Sequence, residues 1–541
     1  MTPYHRGSGL STSMRCRGRT VASLCLLILF VVAVLIVAFS FDTSSEVSSD
    51  RCYQYLGNAR VLKHPKECPT LTHPRHNLQD TTLQISRLDR NLPPSRALPV
   101  GHQRSFWAYD FTNELYYEIT ATLLAVGAHG YVFMENSCIT ELGEPAATTQ
   151  TEEIRDEFDS VIYPQVTDLS GHPNGSLGDI DGDPHIVLLL SQNLVSYYSQ
   201  RNEVDLPYSN LCEMVYLYYK TWMMPTVAHE FQHLIWFNNE WDEPHFLLEG
   251  LAQYAEYYAG YLAPYDNLEP RVPSFLQHPE DSLLYWNMFG ADGLPMSIDY
   301  GGAYLFAFYL AEHYGVDILR NLITEPTDGA HGVEAVLQAA GYDITFNELY
   351  LNWVTAVTID ALGFSDNLYG FEGLDARITQ YDTVNEPTLL NDTISLRYYG
   401  IHIHRLQSPP DNFTVQIKKA SNHAIGVSLA LHDVHGWHIY QTLHGEADVT
   451  VTDSVTGSSA DVAYLITSYM ESQTPPVPSG YGLGPLTEIE VAISQESTPT
   501  TPFTPWNEAS LGIIIPLAVF CGVCLLIITT ILIKRKKSSD E

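Results

Sequence analysis

The sequence predicts an α+β protein: a region where strands and helices succeed one another, a mostly helical lobe behind it, a β-sandwich, and an apolar C-terminal transmembrane helix. Three observations predict it. Between residues 105 and 219 apolar residues alternate or run together in short segments, and from 227 to 359 they follow the three-and-four spacing of helix faces. Beyond Asn385 the chain turns to short alternating segments such as "FTVQIKK" and "IGVSLALHD", separated by turn residues. Leu511 to Ile533 is a nearly unbroken apolar span closed by Lys534, Arg535, Lys536 and Lys537, the pattern of a membrane helix with its basic end in the cytoplasm.

In chain order, residues 1–50 combine a basic start (Arg6, Arg15, Arg17, Arg19) with the apolar run Val21 to Ser40. This reads as a cleaved signal peptide or a retained anchor. Residues 51–104, rich in Pro, Arg and His, read as a linker or pro-like segment. Residues 105–384 form the main domain, with strands expected at Leu115 to Val126, Tyr131 to Met134, Ile186 to Leu190 and Met214 to Tyr219, and helices at Glu152 to Val166, His245 to Tyr261, Gly302 to Tyr314, Val316 to Ile323, Gly332 to Ala340 and Phe346 to Ile359. Residues 385–493 are the sandwich, 494–510 a Ser/Thr/Pro stalk, 511–533 the membrane helix and 534–541 a cytoplasmic tail. With both basic ends inside, the bulk of the chain is expected outside the cell membrane.

Net charge is −36, and since both termini are basic the middle is more acidic still. Such a surface repels phosphate backbones, which excludes nucleic acid as a partner. Of eight cysteines, Cys52, Cys68, Cys138 and Cys212 lie outside the two apolar spans. In an oxidising compartment they are expected to pair, the favoured pairing being Cys52 with Cys68 and Cys138 with Cys212. Asn174, Asn391 and Asn412 begin glycosylation triplets.

The segment "VAHEFQHLIWF", Val227 to Phe237, sets two histidines and a glutamate inside an apolar helical pattern. On a helix, His229 and His233 present two imidazoles one turn apart, a separation that suits one tetrahedral zinc ion. Glu230 lies between them, near the open coordination position. A third ligand is needed. Trp236 and Asn239 stand where a metzincin would have Gly and His, so that class is excluded. Sixteen residues after His233, Glu249 opens a second helical stretch, reached through Asn238, Asn239, Trp241 and Pro244, residues apt for a helix end and a tight turn. A helix doubling back there brings the Glu249 carboxylate to the metal, and Gly250 and Ala252 allow the two helices to pack closely.

"AHEFQHLIWFNN" followed by "FLLEGLAQYAE" resembles the gluzincin metallopeptidases, most closely their hyicolysin-like branch and more weakly the immune inhibitor A type proteases. "DEFDSVIYPQVTDLSG", "DIDGDPHIVLLLS" and "SNLCEMVYLYY" resemble the elements that precede the zinc helix in that branch. The resemblance covers roughly Ser105 to Asp360. It implies a zincin-type catalytic domain, zinc on His229, His233 and Glu249, Glu230 as general base, and a peptide or protein substrate lying along the edge strand near Met214 to Tyr219. Leu248 and Gln253 depart from the pattern. Gln253 stands where thermolysin-like enzymes keep an acid that orients a ligand, so that partner is unassigned. Tyr300, before the Gly-Gly-Ala start of a helix, is placed in a manner similar to the transition-state tyrosine of gluzincin aminopeptidases; Tyr304 and His313 are alternatives. The competing reading is an adhesion or binding protein whose zinc is structural.

Three weaker signals remain. "GDIDGDPH" spells the start of a calcium loop with Asp179, Asp181 and Asp183, but a strand begins where the bidentate glutamate is needed, so an Asp/Gly turn is favoured over a Ca2+ site. His402 and His404 share a strand face without a third ligand and read as a surface pair. Cys521 and Cys524 read as membrane-helix fillers.

Overall fold

The structure, a computed structural model, describes residues 97–495 apart from 112, 114, 176–178, 194, 221–222, 241, 262–270, 288–294, 386–388, 411, 420–422, 446–450, 457–459 and 478–481. The expected signal or anchor segment, the linker or pro-like segment as far as residue 96, the stalk beyond Gln495, the span Leu511 to Ile533, the basic tail, and Cys16, Cys25, Cys52, Cys68, Cys521 and Cys524 lie outside the described residues. Among the described residues no helix is long and apolar enough to cross a membrane. The longest, Ser297–Tyr314, has 18 residues, but it carries Asp299, Glu312 and His313 and is packed into the protein core. The expectations of a C-terminal transmembrane helix and a cell-membrane location thus find no support among the described residues and are not carried further.

The first sheet is built from β1 (Gln103–Asp110), β2 (Leu115–Val126), β3 (Gly130–Glu135), β4 (Ile186–Ser191), β5 (Tyr197–Tyr198) and β6 (Met214–Tyr218), in spatial order β1-β2-β3-β4-β6-β5. β3, β4 and β6 are parallel, and a parallel neighbour requires a long crossover. Between β3 and β4 it is made by α1 (Asn136–Leu142), then α2 (Glu144–Glu157), which continues through a π-helical turn at Phe158–Ile162 into α3 (Tyr163–Ser170). β5 runs antiparallel on the outer side of β6, with Tyr197 opposite Tyr216. The strand at Met214 to Tyr218 is therefore not the edge; β5 covers it.

Side chains alternate across the pleat. Leu188, Leu190, Val215 and Leu217 join the core on the helix side, while Val187, Leu189, Met214 and Tyr216 join a second cluster with β1 and β2. This alternation overturns the predicted pairing of Cys138 with Cys212. Both thiols are free and buried, and they belong to different clusters on the two faces of the sheet. Burial pushes each thiol up to about 12, which removes the reactive thiolate. We expect neither to be alkylated by iodoacetamide until the chain is denatured, as read by peptide mass spectrometry; labelling of the native protein would contradict their burial.

Behind β6 lies the helical lobe: α4 (Met224–Asn239), α5 (His245–Tyr258), α6 (Arg271–Gln277), α7 (Ser297–Tyr314), α8 (Val316–Leu322), α9 (Gly329–Ala339) and α10 (Phe346–Ile359). Gly250 permits a close approach, as the sequence implies, but to α7: a Cβ there would lie 2.6 Å from the Ala303 carbonyl oxygen. α10 starts at a capping box formed by Thr345 and Glu348.

The sandwich comprises β7 (Asp382–Val384), β8 (Leu389–Arg397), β9 (Ile401–Gln407), β10 (Asn412–Lys419), β11 (Ala424–Asp433), β12 (Gly436–His444), β13 (Val451–Thr456), β14 (Val462–Met470) and β15 (Leu486–Gln495). One sheet is ordered β13-β10-β15-β8 and the other β12-β11-β14-β9-β7. Ile417, Val491 and Ile394 of the first and Leu429, Leu465 and Ile403 of the second share one apolar cluster with the helical lobe. α10 is bonded to the second sheet: Thr355 Oγ1 lies 2.7 Å from Ser428 Oγ, and Gln441 Nε2 donates to the Leu351 carbonyl at 3.0 Å. The sandwich is thus fused to the lobe through a common core.

Candidate metal centre

α4 leaves β6 with Pro225 in its first turn, where a missing N–H costs nothing. His229 and His233 then fall one turn apart on one side. The chain becomes extended at Glu240, and α5 begins after Pro244, returning Glu249 to the two rings. His229 Nε2 is 3.2 Å from His233 Nε2 and 3.1 Å from Glu249 Oε2, and His233 Nε2 is 3.5 Å from the same carboxylate oxygen. A tetrahedron with zinc–nitrogen and zinc–oxygen bonds near 2.0–2.1 Å has edges of roughly 3.3 Å. The donor triangle matches those edges, and its chemistry, two imidazoles and a carboxylate, is that of a zinc ion with an open position. His229, His233 and Glu249, chosen from sequence, are therefore brought together.

The group that holds His229 is not among the candidates the sequence singles out. Its Nδ1–H donates to Glu256 Oε1 at 2.8 Å, and Arg271 Nη1 lies 3.4 Å from the same oxygen. Glu256 sits seven residues after Glu249, two helical turns along α5, so it shares that face; the helical phase is the signal that finds it. Gln253, the departure noted in the sequence, instead donates to the Tyr300 carbonyl at 2.9 Å and accepts from Arg271 at 3.1 Å. The Glu256 bond fixes the tautomer and leaves Nε2 facing the triangle. Replacing Glu256 by Gln is expected to weaken zinc binding by about 10- to 100-fold, measured by competition against a chromophoric chelator; an unchanged affinity would remove Glu256 from this role.

Charge is concentrated here. Burial pushes the His229 imidazolium down, but the Glu249 and Glu256 carboxylates more than reverse this and raise it to about 10. Burial likewise works against ionised Glu249, yet His233 and His229 hold its carboxyl well below the ordinary range. An arriving cation must displace a proton, so occupancy is expected to rise with pH. Glu230, 8% exposed, has its carboxyl raised by burial, opposed by His229, His233 and the backbone N–H of Tyr198 in β5.

Tyr300 is half-buried at the start of α7. Its ring packs edge-on against Trp286 at 5.0 Å and under the Arg271 guanidinium at 5.0 Å, and so adjoins the Glu256 side of the site. Tyr304 is buried in the core, and His313 Nε2 lies 3.0 Å from the Gly370 carbonyl oxygen, which ties it to a different loop.

Three more groups bring acids or histidines within ligand range of one another: Asp382 with His402 and His404, Asp179 with Asp181 and Glu213, and Glu240 with Asp242 and Asp328. Only one histidine of the pair reaches the surface: His404 is 0% exposed and its Nε2 lies 3.2 Å from Asp392, while His402 is partly exposed and its Nε2 lies 3.2 Å from Asp382. A third group of ligand type, absent from the sequence pattern, is thus brought beside the two histidines by β7.

No family model matches this chain, and no curated protein does. Solved structures give weak likenesses. The pre-peptidase C-terminal domain of collagenase from Bacillus anthracis is similar at 13% identity over 22% of this chain and 100% of that one, with a TM-score of 0.15. The periplasmic lysozyme inhibitor PliG from Aeromonas hydrophila is similar at 12% identity over 22% of this chain and 98% of that one, with a TM-score of 0.15. Likeness at this level carries no argument about fold or activity.

Proposed function

We propose that this chain is a zinc-dependent peptidase of gluzincin type. The observation that supports it is the triangle of His229, His233 and Glu249, closed to within zinc-ligand distances with a buried acid, Glu230, next to it in sequence. A purely structural site has no use for that acid. Zinc held by these three side chains supplies Lewis acidity, which acidifies water and polarises a peptide carbonyl. Glu230 accepts the proton of the attacking water and returns it to the amine nitrogen as the peptide bond breaks. Glu256 keeps the His229 ring aimed, with Arg271 behind it. The substrate strand is assigned to β5, the outermost strand on this side of the sheet, in place of β6.

Tyr300 is proposed as the donor to the developing oxyanion. Tyr300→Phe keeps the ring against Trp286 and Arg271, so turnover is expected to fall by about 10²-fold with zinc content unchanged; equal turnover would leave Tyr300 a packing role. The reading as a whole is tested by digesting a peptide library with the zinc-loaded chain. Cleavage should stop on chelation and return with zinc, and a zinc-loaded chain that cleaves nothing would overturn it.

A further inference from the structure

The loop before β4 carries Asp179, Asp181 and Asp183, and the structure shows where each carboxylate goes. Asp179 Oδ1 accepts from the N–H groups of Asp181 and Gly182 at 3.1 and 2.5 Å, and Asp181 Oδ1 accepts from Asp183 at 2.8 Å. Asp183 turns away: its Oδ2 accepts from the Tyr131 hydroxyl at 2.9 Å and its Oδ1 meets His185 Nδ1. The third carboxylate of the group comes from the segment that leads into β6. Val187 in β4 lies opposite Met214 in β6, so Glu213, immediately before β6, stands level with the loop.

Glu213 is 2% exposed. Its Oε1 accepts from the Ile180 N–H at 2.8 Å, which sets the side chain against the loop between Asp179 and Asp181. Its Oε2 is buried and has no hydrogen-bond partner. One oxygen each from Asp179, Asp181 and Glu213 lies within 4.8 Å of the other two. Among the described residues no lysine, arginine or histidine forms an ion pair with any of the three. Arg104, the cation acting on Asp181 from further off, donates to the Asn210 carbonyl at 2.6 Å. Three carboxylates gathered around a buried, unpaired oxygen repel one another, and removing one from water without a partner costs several kcal/mol. A multivalent cation relieves both penalties.

We propose that Asp179, Asp181 and Glu213 form a calcium site that pins the loop before β4 to the start of β6. The donor set is all oxygen, which selects a hard cation over zinc. Two ligands on one loop and a third at the entry to β6 suit the adaptable coordination of calcium better than the strict octahedron of magnesium. The calcium-loop spelling needs its closing glutamate further along the same loop; here the parallel sheet brings it from 30 residues beyond Asp183. This site is independent of the zinc triangle and of the peptidase reading.

The test is thermal unfolding of the full chain, stripped of divalent ions, with the zinc site reloaded and calcium added to about 1 mM. Wild type should gain about 5 °C in Tm and bind calcium in isothermal titration. Glu213→Gln and Asp179→Asn should each lose the gain while zinc content stays at wild-type level; Asp179→Asn, at a partly exposed position, guards against a Gln variant that does not fold. No calcium response in wild type, or an equal response in both variants, would overturn the site, the latter placing the ion elsewhere, as at Glu240, Asp242 and Asp328. A stronger response to magnesium than to calcium would overturn the choice of ion.

Discussion

Replacing Glu230 by Gln is expected to lower peptide turnover by about 10²- to 10⁴-fold while zinc stays bound. Glutamine has nearly the same shape and fills the same buried place on α4, so the ligands on either side of it, His229 and His233, are left undisturbed. What disappears is a group able to take and return a proton. The sign of the pH dependence follows from the site. A general base works as its carboxylate, and burial raises the Glu230 carboxyl above its ordinary value. Activity of the wild type should therefore fall as pH drops through a pKa higher than that of a solvated glutamate, and the residual activity of the variant should lack that limb. Kinetics at several pH values together with zinc analysis check both points. Wild-type activity in the zinc-loaded variant would remove Glu230 from catalysis.

Truncating a ligand is expected to have the other large effect. Glu249→Ala leaves His233 Nε2 without the carboxylate 3.5 Å away and His229 Nε2 without its partner at 3.1 Å. Only two imidazoles then face the ion, and the negative charge that offsets it is gone. Zinc affinity should fall by more than the roughly 100-fold upper range for a residue that only orients a ligand, so that dialysed protein holds close to no zinc in place of about one ion per chain. Activity should go with it. His233→Ala should behave alike, because that ring supplies an equivalent corner of the triangle. The ranking separates the roles: Glu249→Ala loses metal and activity, Glu256→Gln weakens metal binding, and Glu230→Gln loses activity alone. Zinc retained at full affinity by Glu249→Ala would break the assignment.

The metal triangle was legible because its determinants are local. Two histidines four apart on a helix fix one edge, and the turn residues between Asn238 and Pro244 bring the next helix back. Glu256 was less legible because the resemblance points to Gln253, one turn on from Glu249, whereas the carboxylate that bonds His229 lies at the next position on that face. Its partner Arg271 begins a seven-residue helix with too little periodicity to stand out. Glu213 and Asp382 were invisible for another reason: each completes its cluster across neighbouring strands, and only the register brings them together. The cysteine pairing failed on the same ground, since adjacent elements placed Cys138 and Cys212 on opposite faces of one sheet. The alternating segments beyond Asn385 did predict the sandwich strands, but nothing in them disclosed that Ser428 and Gln441 would bond to α10.

The most direct measurement is anomalous diffraction at the zinc edge from crystals of the chain grown with zinc. A strong peak is expected about 2.0–2.2 Å from His229 Nε2, His233 Nε2 and a carboxylate oxygen of Glu249, with Glu256 still bonded to His229 Nδ1. A map without zinc at that triangle, or with the Glu249 carboxylate turned away from the two rings, would contradict it.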